Sequence, residues 1–134
     1  MYTFKKEERL CSHNQIQELL KHGSSFFEFP FRCIWFVADK TEHPVQIAFS
    51  VPKRKIKHAN KRNYIKRQIR NAYRIEKHTL TERAFTNQKS ILCILVYNSS
   101  EIFPYKMIEQ KIKTIVSRLE EQLFVSLENN KPKT

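Results

Sequence analysis

The segment KRNYIKRQIRNAYR, residues 61–74, contains six Lys or Arg residues and no acid. Cations three and four residues apart share one face of a helix, and their repulsion destabilises that helix unless a partner supplies negative charge. Residues 53–74 together hold ten basic residues and no acidic one, whereas the rest of the chain holds 15 basic and 13 acidic residues. One concentrated basic element in an otherwise balanced chain is typical of a polyanion-binding surface, most often for nucleic acid.

A helix over residues 59–78 would sort this segment into two faces. One face is small and aliphatic, which fits a protein core better than a membrane surface; it consists of Ile65, Ile69, Ala72 and the aliphatic part of Glu76. The opposite face can match successive phosphates of a folded RNA or a duplex, because Arg donates two hydrogen bonds to phosphate and an Asn amide can bond a base edge or a 2′-hydroxyl. We call this face the cationic ridge: Asn63, Lys66, Arg67, Arg70 and Arg74.

The residues before this helix, PKRKIKHAN, form a basic loop that either clamps phosphates or stays flexible. The candidate RNA-binding residues outside the ridge are Lys53, Arg54, Lys55, Lys57, His58, Lys61 and Arg62. Arg62 falls at the border of the buried face, so its stem can pack while its guanidinium reaches outward. Tyr64 and Tyr73 flank the ridge and either stack on bases or become buried.

The remaining pattern predicts one small domain of the α+β class, an α/β sandwich over residues 1–127 with a frayed tail at 128–134. The predicted order is α-β-β-β-α-β-α, with about four strands. A first helix capped by Ser12 runs to about Lys21, and Gly23 follows at a position that suits a left-handed residue.

The strands are predicted from their apolar patterns. A short edge segment near Phe26 precedes a strand over residues 31–38, and VQIAFSV, residues 45–51, alternates as its hairpin partner. SILCILVY, residues 90–97, is apolar almost throughout, which indicates a central strand buried on both faces. Pro104 then opens the last helix near its first turn.

Several classes of function are disfavoured by the composition. The three cysteines are widely spaced and include no C-x-x-C, which argues against a disulfide framework or a zinc site and favours a reduced, cytoplasmic setting. The N-terminus shows no secretory apolar region, and no run is long enough to span a bilayer. No nucleophile–base constellation is recognisable, and the acids are too scattered to suggest a metal-dependent nuclease site.

Residues 50–74, SVPKRKIKHANKRNYIKRQIRNAYR, resemble the signature of the protein subunit of bacterial ribonuclease P. The signature is a strand ending in S-V, a K-[KR] pair, then A-x-x-R-N-x-[IL]-K-R-x-[IL]-R and a closing Arg. Weaker similarity covers most of the chain, including KHG at residues 21–23. Three features depart from the family: Lys57 stands where a loop Gly is usual, Asn71 replaces a Glu or Gln, and the first helix presents Ile16 and Leu20 in place of two Phe.

The resemblance implies that the protein assists a catalytic RNA in the endonucleolytic removal of the 5′ leader from precursor tRNA. By this resemblance, the catalytic groups and the Mg²⁺ ions belong mainly to the RNA, and the protein supplies neither catalytic residues nor a metal motif. The basic helix and loop would bind the RNA subunit, and a cleft between the sheet and the first helix would hold the leader. The family fold also implies a left-handed β-α-β crossover around the basic helix, against the usual right-handed rule.

The leader cleft has four candidate residues: Ile16, Leu20, Phe31 and Phe49. Because alternate residues of a strand point to opposite faces, Phe31, Phe49, Trp35 and Phe36 either line the cleft or pack the core. A second hypothesis is a general RNA-binding module, for example a ribosome-associated one, with no role in cleavage. A monomer is expected.

Overall fold

The computed structural model describes residues 13–39 and 44–125. The described residues form three helices and four strands, followed by a π-helical turn at Glu121–Val125. In chain order the helices and strands are α1 His13–His22, β1 Ser24–Glu28, β2 Phe31–Asp39, β3 Val45–Ser50, α2 Ala59–Thr86, β4 Lys89–Tyr97 and α3 Tyr105–Glu120. The predicted α+β class and element order are confirmed. The predicted Ser12 cap and the tail at 128–134 lie outside the described residues.

The four strands form one mixed sheet in the order β1-β2-β4-β3. The pairs β1–β2 and β2–β4 are antiparallel, whereas β3 lies parallel to β4. The predicted hairpin between the second and third strands is therefore wrong, because β4 lies between them. Parallel neighbours need a long crossover, and α2 supplies it. The left hand of that crossover stays a prediction from the family resemblance.

The predicted central strand is confirmed in β4, which pairs on both edges and is buried on both faces. Odd-numbered β4 residues such as Ile91 and Leu95 join the main core with α2 and α3. Ile94 faces the other way and packs in a smaller cluster with Leu19 of α1 and Ile34 of β2. The sheet thus has an α2/α3 face and an α1 face. Because successive residues of a strand point to opposite faces, a residue's odd or even position in its strand (its parity) decides on which face it lies.

The first connection depends on the chain's single glycine. Gly23 is not left-handed as predicted, since no described glycine has a positive φ. Its amide donates to the Leu19 carbonyl at 2.8 Å, and a Cβ at this position would lie 2.5 Å from that oxygen and 3.0 Å from Ile34 Cγ2. Glycine is required here because the Leu19 carbonyl of α1 and the Ile34 side chain of β2 leave no room for a Cβ at residue 23.

The helix that carries the ridge is longer than predicted. It continues past His78 to Thr86, and its second half packs into the core through Leu80 and Ala84. Arg83 also pairs with Glu120 of α3 at 3.6 Å. The C-terminal half of α2 therefore fixes the helix against α3, while the N-terminal half presents the basic segment.

Two cysteines contribute to the core as expected. Cys33 and Cys93 are fully buried free thiols, with their Sγ atoms 3.4 Å apart. The hydrogen bond to Cys33 and burial together raise the pKa of the Cys93 thiol well above its usual value. Both side chains pack as small apolar groups.

Candidate nucleic-acid interface

The buried side of α2 orients the cationic ridge. Ile65, Ile69 and Ala72 are buried against the core, as predicted, and Tyr73 is buried with them. Glu76 is only half-buried. Because these apolar residues fix the rotation of the helix about its axis, the polar residues between them must face away from the protein.

The ridge residues lie on the side of α2 that the prediction requires. Asn63, Arg67, Arg70 and Arg74 are exposed, and Lys66 is half-buried. Within residues 13–39 and 44–125, none of the ridge cations forms an ion pair with a carboxylate. Their charges are therefore available to an external anion.

The N-terminal end of α2 strengthens this positive field. The helix starts after His58, whose side chain makes no capping hydrogen bond, and its first turn contains no acid. A helix N-terminus carries a partial positive charge. This end of the helix lies directly beside the basic loop, so both contribute the same sign of potential.

The basic loop, residues 52–58, has a defined turn structure. The Pro52 carbonyl accepts hydrogen bonds from the amides of Lys55 at 3.0 Å and Ile56 at 3.1 Å. The Ile56 side chain is buried in the core. Lys55 near this anchor is half-buried, and the other basic side chains around it are solvent-exposed: Lys53, Arg54, Lys57, His58 and Lys61.

Arg62 joins the loop to the helix. One guanidinium nitrogen, Nη1, donates to the carbonyls of Ile56 at 3.0 Å and Lys57 at 2.9 Å. Both acceptors belong to the loop, so Arg62 fixes the loop against the first turns of α2. The helical pattern predicts Arg62 at the border of the buried face, and its half-buried position agrees with this. Sequence patterns did not reveal the inward hydrogen bonds, which occupy part of a side chain predicted to contact RNA.

The two tyrosines that flank the ridge differ in exposure. Tyr73 is buried and makes an edge-to-face contact with Phe49, with ring centroids 5.7 Å apart. Tyr64 is 44% exposed. Of the two alternatives left open by the sequence, burial therefore holds for Tyr73, and only Tyr64 is available for stacking.

The electrostatic environment changes along the ridge. Burial raises the pKa of Tyr105 at the start of α3, and the negative charges of Glu109 and Glu76 raise it further, while the positive charge of Arg74 lowers it. Arg74 thus shares its surroundings with two carboxylates. These carboxylates offset part of the positive charge at the Arg74 end of the ridge.

The predicted leader-cleft residues do not all lie on one face of the sheet. Ile16 packs on the α1 face, and Leu20 of α1 is 57% exposed. Phe31 is fully buried in the main core, and Phe49 packs against the same core. The assignment of Phe31 and Phe49 to a cleft beside the first helix is therefore wrong, because their parity directs them to the α2/α3 face.

Two other side chains occupy the α1 face of β2. Phe36 is 39% exposed, and Arg32 is exposed. Arg32 is not among the predicted site residues, although a single Arg within an apolar strand indicates a solvent-facing position. The sequence allows Phe36 to lie either in the cleft or in the core, and in the structure it lies at the surface on the α1 face of β2.

Neither a metal centre nor a membrane span is found within the described residues. No group of three or more His, Cys, Asp or Glu side chains there could hold a metal ion. None of the described helices combines the length and the apolar character needed to cross a bilayer.

Comparisons with known proteins agree with this geometry. Residues 4–120 match the family model described as Ribonuclease P. The chain is 27% identical over 121 residues to the ribonuclease P protein component of Porphyromonas gingivalis strain W83, covering 88% of this chain and 87% of the relative. The Staphylococcus aureus RNase P protein superposes with a TM-score of 0.63 at 20% identity, covering 84% of this chain and 95% of that one. The Thermotoga maritima RNase P protein gives 0.63 at 17% identity, with 83% and 96% covered.

The fold and the exposed ridge define a small, strongly basic α+β protein of the kind that works within a ribonucleoprotein. The family match extends over most of the chain. The chain belongs to the ribonuclease P protein family.

Proposed function

We propose that this protein is the protein component of a ribonuclease P ribonucleoprotein, which removes the 5′ leader of precursor tRNA by hydrolysing one phosphodiester bond. Its partners are the catalytic RNA subunit and the leader of the substrate. The observation that carries the proposal is the ridge of exposed cations on α2, joined by Arg62 to an ordered basic loop, in a chain of this family. The setting that this function requires is the cytoplasm, where tRNA is processed.

The protein's contribution is electrostatic and positional. Each cation that contacts a phosphate releases condensed counterions and reduces the repulsion between two folded RNAs. The ridge and the loop provide these contacts from side chains on a fixed helix and a hydrogen-bonded turn, so little order has to be gained on binding. We assign the catalytic groups and the Mg²⁺ ions that serve them to the RNA subunit, and no catalytic role to a protein side chain.

The leader would lie on the α1 face, on the opposite side of the sheet from the main core. Leu20 and Phe36 are exposed there, and Arg32 supplies a positive charge. These side chains replace the Phe31 and Phe49 of the sequence-based expectation. Ile16 contributes to the floor of this region, because it packs with Leu19, Ile34 and Ile94.

Reconstitution tests the proposal. A bacterial ribonuclease P RNA is mixed with precursor tRNA at low Mg²⁺, with and without the protein, and single-turnover cleavage is measured. We expect the protein to restore cleavage that the RNA alone performs poorly under these conditions. Arg67→Gln/Arg70→Gln should lose most of this gain, whereas Lys106→Gln/Lys113→Gln, which removes the same charge from exposed positions on α3, should keep it.

The alternative of a general RNA-binding module predicts a different result. Such a protein would bind the catalytic RNA and unrelated structured RNAs with equal affinity and would give no gain in cleavage at any Mg²⁺ concentration. That outcome would exclude the ribonuclease P role while leaving the ridge as an RNA-binding surface.

A further inference from the structure

Two cysteine thiols lie in contact with each other in the main core. Cys33 of β2 and Cys93 of β4 are both 0% exposed, and their Sγ atoms are 3.4 Å apart. Cys33 pairs with Leu95 and Cys93 pairs with Trp35, so the two cysteines are diagonal neighbours on adjacent antiparallel strands. Both lie on the α2/α3 face of the sheet, where they belong to the same apolar cluster as residues of α2 and α3.

The proposed function makes no use of this thiol pair, yet its geometry is close to that of a covalent bond. The S–S distance in a disulfide is about 2.05 Å, so the two sulfurs have to approach each other by only about 1.4 Å. The sequence has three cysteines, and the third, Cys11, lies outside the described residues. Within the part of the chain that the structure describes, each of the two sulfurs therefore has the other as its thiol partner.

A bond between these sulfurs would enclose the basic part of the chain. The two cysteines are 60 residues apart in sequence. The segment between them contains β3, the basic loop and α2, and therefore the whole cationic ridge. A crosslink that closes a long loop stabilises a protein because it restricts the unfolded chain. This crosslink would thus hold both ends of the crossover that positions the ridge, from inside the core.

We propose that Cys33 and Cys93 are a modification site at which hydrogen peroxide forms a disulfide inside the folded protein, and that the RNA-binding surface stays intact in this state. In the first step, one thiol sulfur attacks the peroxide, the O–O bond breaks, and a sulfenic acid and water form. In the second step, the other sulfur attacks the sulfenic sulfur, the S–O bond breaks, and a second water leaves. The two thiols lose two electrons and two protons, and one peroxide molecule accepts them.

The burial of the pair makes the first step slow and the second step fast. The hydrogen bond to Cys33 and burial raise the pKa of the Cys93 thiol, and a thiol is a much weaker nucleophile than a thiolate. Peroxide must also reach the core through a local opening of the fold. Once a sulfenic acid has formed, the second sulfur is already in contact with it, so disulfide formation outcompetes further oxidation to a sulfinic acid. The pair therefore stays reduced in the absence of peroxide and is converted during sustained exposure.

The test uses the full chain with Cys11→Ser, which leaves Cys33 and Cys93 as its two cysteines. The reduced protein is incubated with hydrogen peroxide in native buffer, then unfolded and alkylated, and the products are identified by intact mass and peptide mapping. We expect the loss of two hydrogen atoms and a crosslinked peptide that joins the two cysteines. The matched control is the same incubation in concentrated urea, where both thiols are exposed but far apart. There the disulfide should be a smaller fraction of the oxidised products, and sulfinic acid a larger one.

The disulfide should change stability without changing RNA binding. We expect the oxidised protein to unfold at a temperature about 10 °C higher than the reduced one, because the bond closes a long loop, and dithiothreitol should reverse the shift. Affinity for a bacterial ribonuclease P RNA should be equal in both states, since the sulfurs lie in the core and the ridge lies on the outer side of α2. Cys33→Ala and Cys93→Ala, each in the Cys11→Ser background, should gain oxygen slowly and show no shift.

Several results would overturn the inference: both thiols still open to alkylation after the native incubation, sulfinic acid without disulfide, an equal disulfide fraction in native buffer and in urea, or a lower unfolding temperature or weaker RNA binding after oxidation. If either alanine variant fails to fold, the peptide map of the Cys11→Ser protein still decides. The inference and the proposed function fail separately, because mass and unfolding temperature do not depend on cleavage. A protein that gives no gain in cleavage would disprove the proposed function and leave the disulfide result standing.

Discussion

The cationic ridge and the α1 face of the sheet are built in different ways. The ridge comes from one helix, and its side chains are exposed and mostly charged. The α1 face is assembled from four strands and a helix, and its surface is largely apolar. On β2, this face carries one exposed cation, Arg32. Under the proposed function, the ridge would bind the regularly spaced phosphates of a folded RNA, whereas the α1 face would bind a flexible strand whose bases can be unstacked.

This difference makes the two surfaces separable by mutation. Ridge variants should change affinity for structured RNA and its dependence on salt, because the ridge acts through charge. Variants of the α1 face should change the response to the single-stranded part of a substrate.

The largest effect is expected from Arg67→Gln/Arg70→Gln. Each substitution removes a charge-assisted hydrogen bond to phosphate, and such bonds contribute about 1.5–3 kcal/mol each, so the double variant should bind the catalytic RNA at least about a hundredfold more weakly. Filter binding at fixed ionic strength measures this. Lys106→Gln/Lys113→Gln is the charge-matched control. Equal losses in both variants would mean that net charge alone, and not the ridge, determines binding.

Gly23→Ala should damage the α1 face selectively. The new Cβ would meet the Leu19 carbonyl of α1 at 2.5 Å and Ile34 Cγ2 of β2 at 3.0 Å, so the end of α1 must shift relative to residue 23 and to β2. Overpacking of this kind costs roughly 1–3 kcal/mol of unfolding free energy. Urea unfolding measures the loss of stability, and binding of leader-bearing substrate should weaken more than binding of the catalytic RNA. If both affinities fall equally, the two surfaces are not independent.

Arg62→Gln should release the basic loop from α2. The change removes the guanidinium hydrogen bonds to Ile56 and Lys57, and we expect RNA binding to weaken by about 1–2 kcal/mol. A double-mutant cycle with Lys53→Gln/Arg54→Gln separates the mechanisms. If Arg62 positions the loop, removal of the loop charges should cost less in the Arg62→Gln background. Strict additivity would instead indicate that Arg62 contacts phosphate independently.

Leu20→Ala should have the smallest effect on folding. The side chain is 57% exposed, so the unfolding free energy should change by no more than about 0.5 kcal/mol. A photoreactive group placed at this position should nevertheless crosslink to the leader of a bound precursor tRNA, and one placed at Lys113 on α3 should not. Crosslinks of equal yield from both positions would contradict the assignment of the leader to the α1 face.

The sequence predicts the ridge well and the α1 face poorly, for a physical reason. The period of a helix assigns Ile65 and Ile69 to one side and Arg67 and Arg70 to the other without reference to any other element. The same holds for β4, whose continuous apolar pattern indicates burial on both faces. Both predictions depend only on residues that are close in the chain.

The errors concern residues whose environment is set by tertiary pairing. Alternation shows that Phe31 and Arg32 point to opposite sides, but it does not show which side carries α1. The hairpin predicted for β3 failed because β4, which follows α2, lies between β2 and β3. The sequence predicts correctly that Gly23 follows a helix end. The reason why a glycine is needed there is its close approach to Leu19 and Ile34, and this approach exists only in the folded chain.

The salt dependence of binding to the catalytic RNA tests the role of the ridge most directly, and it is measured for the parent, for Arg67→Gln/Arg70→Gln and for Leu20→Ala. The slope of log affinity against log salt counts phosphate contacts, so it should become shallower by about two in the ridge variant and stay at the parent value in the Leu20→Ala variant. A ridge variant with the slope of the parent would contradict the claim that these cations bind the RNA backbone.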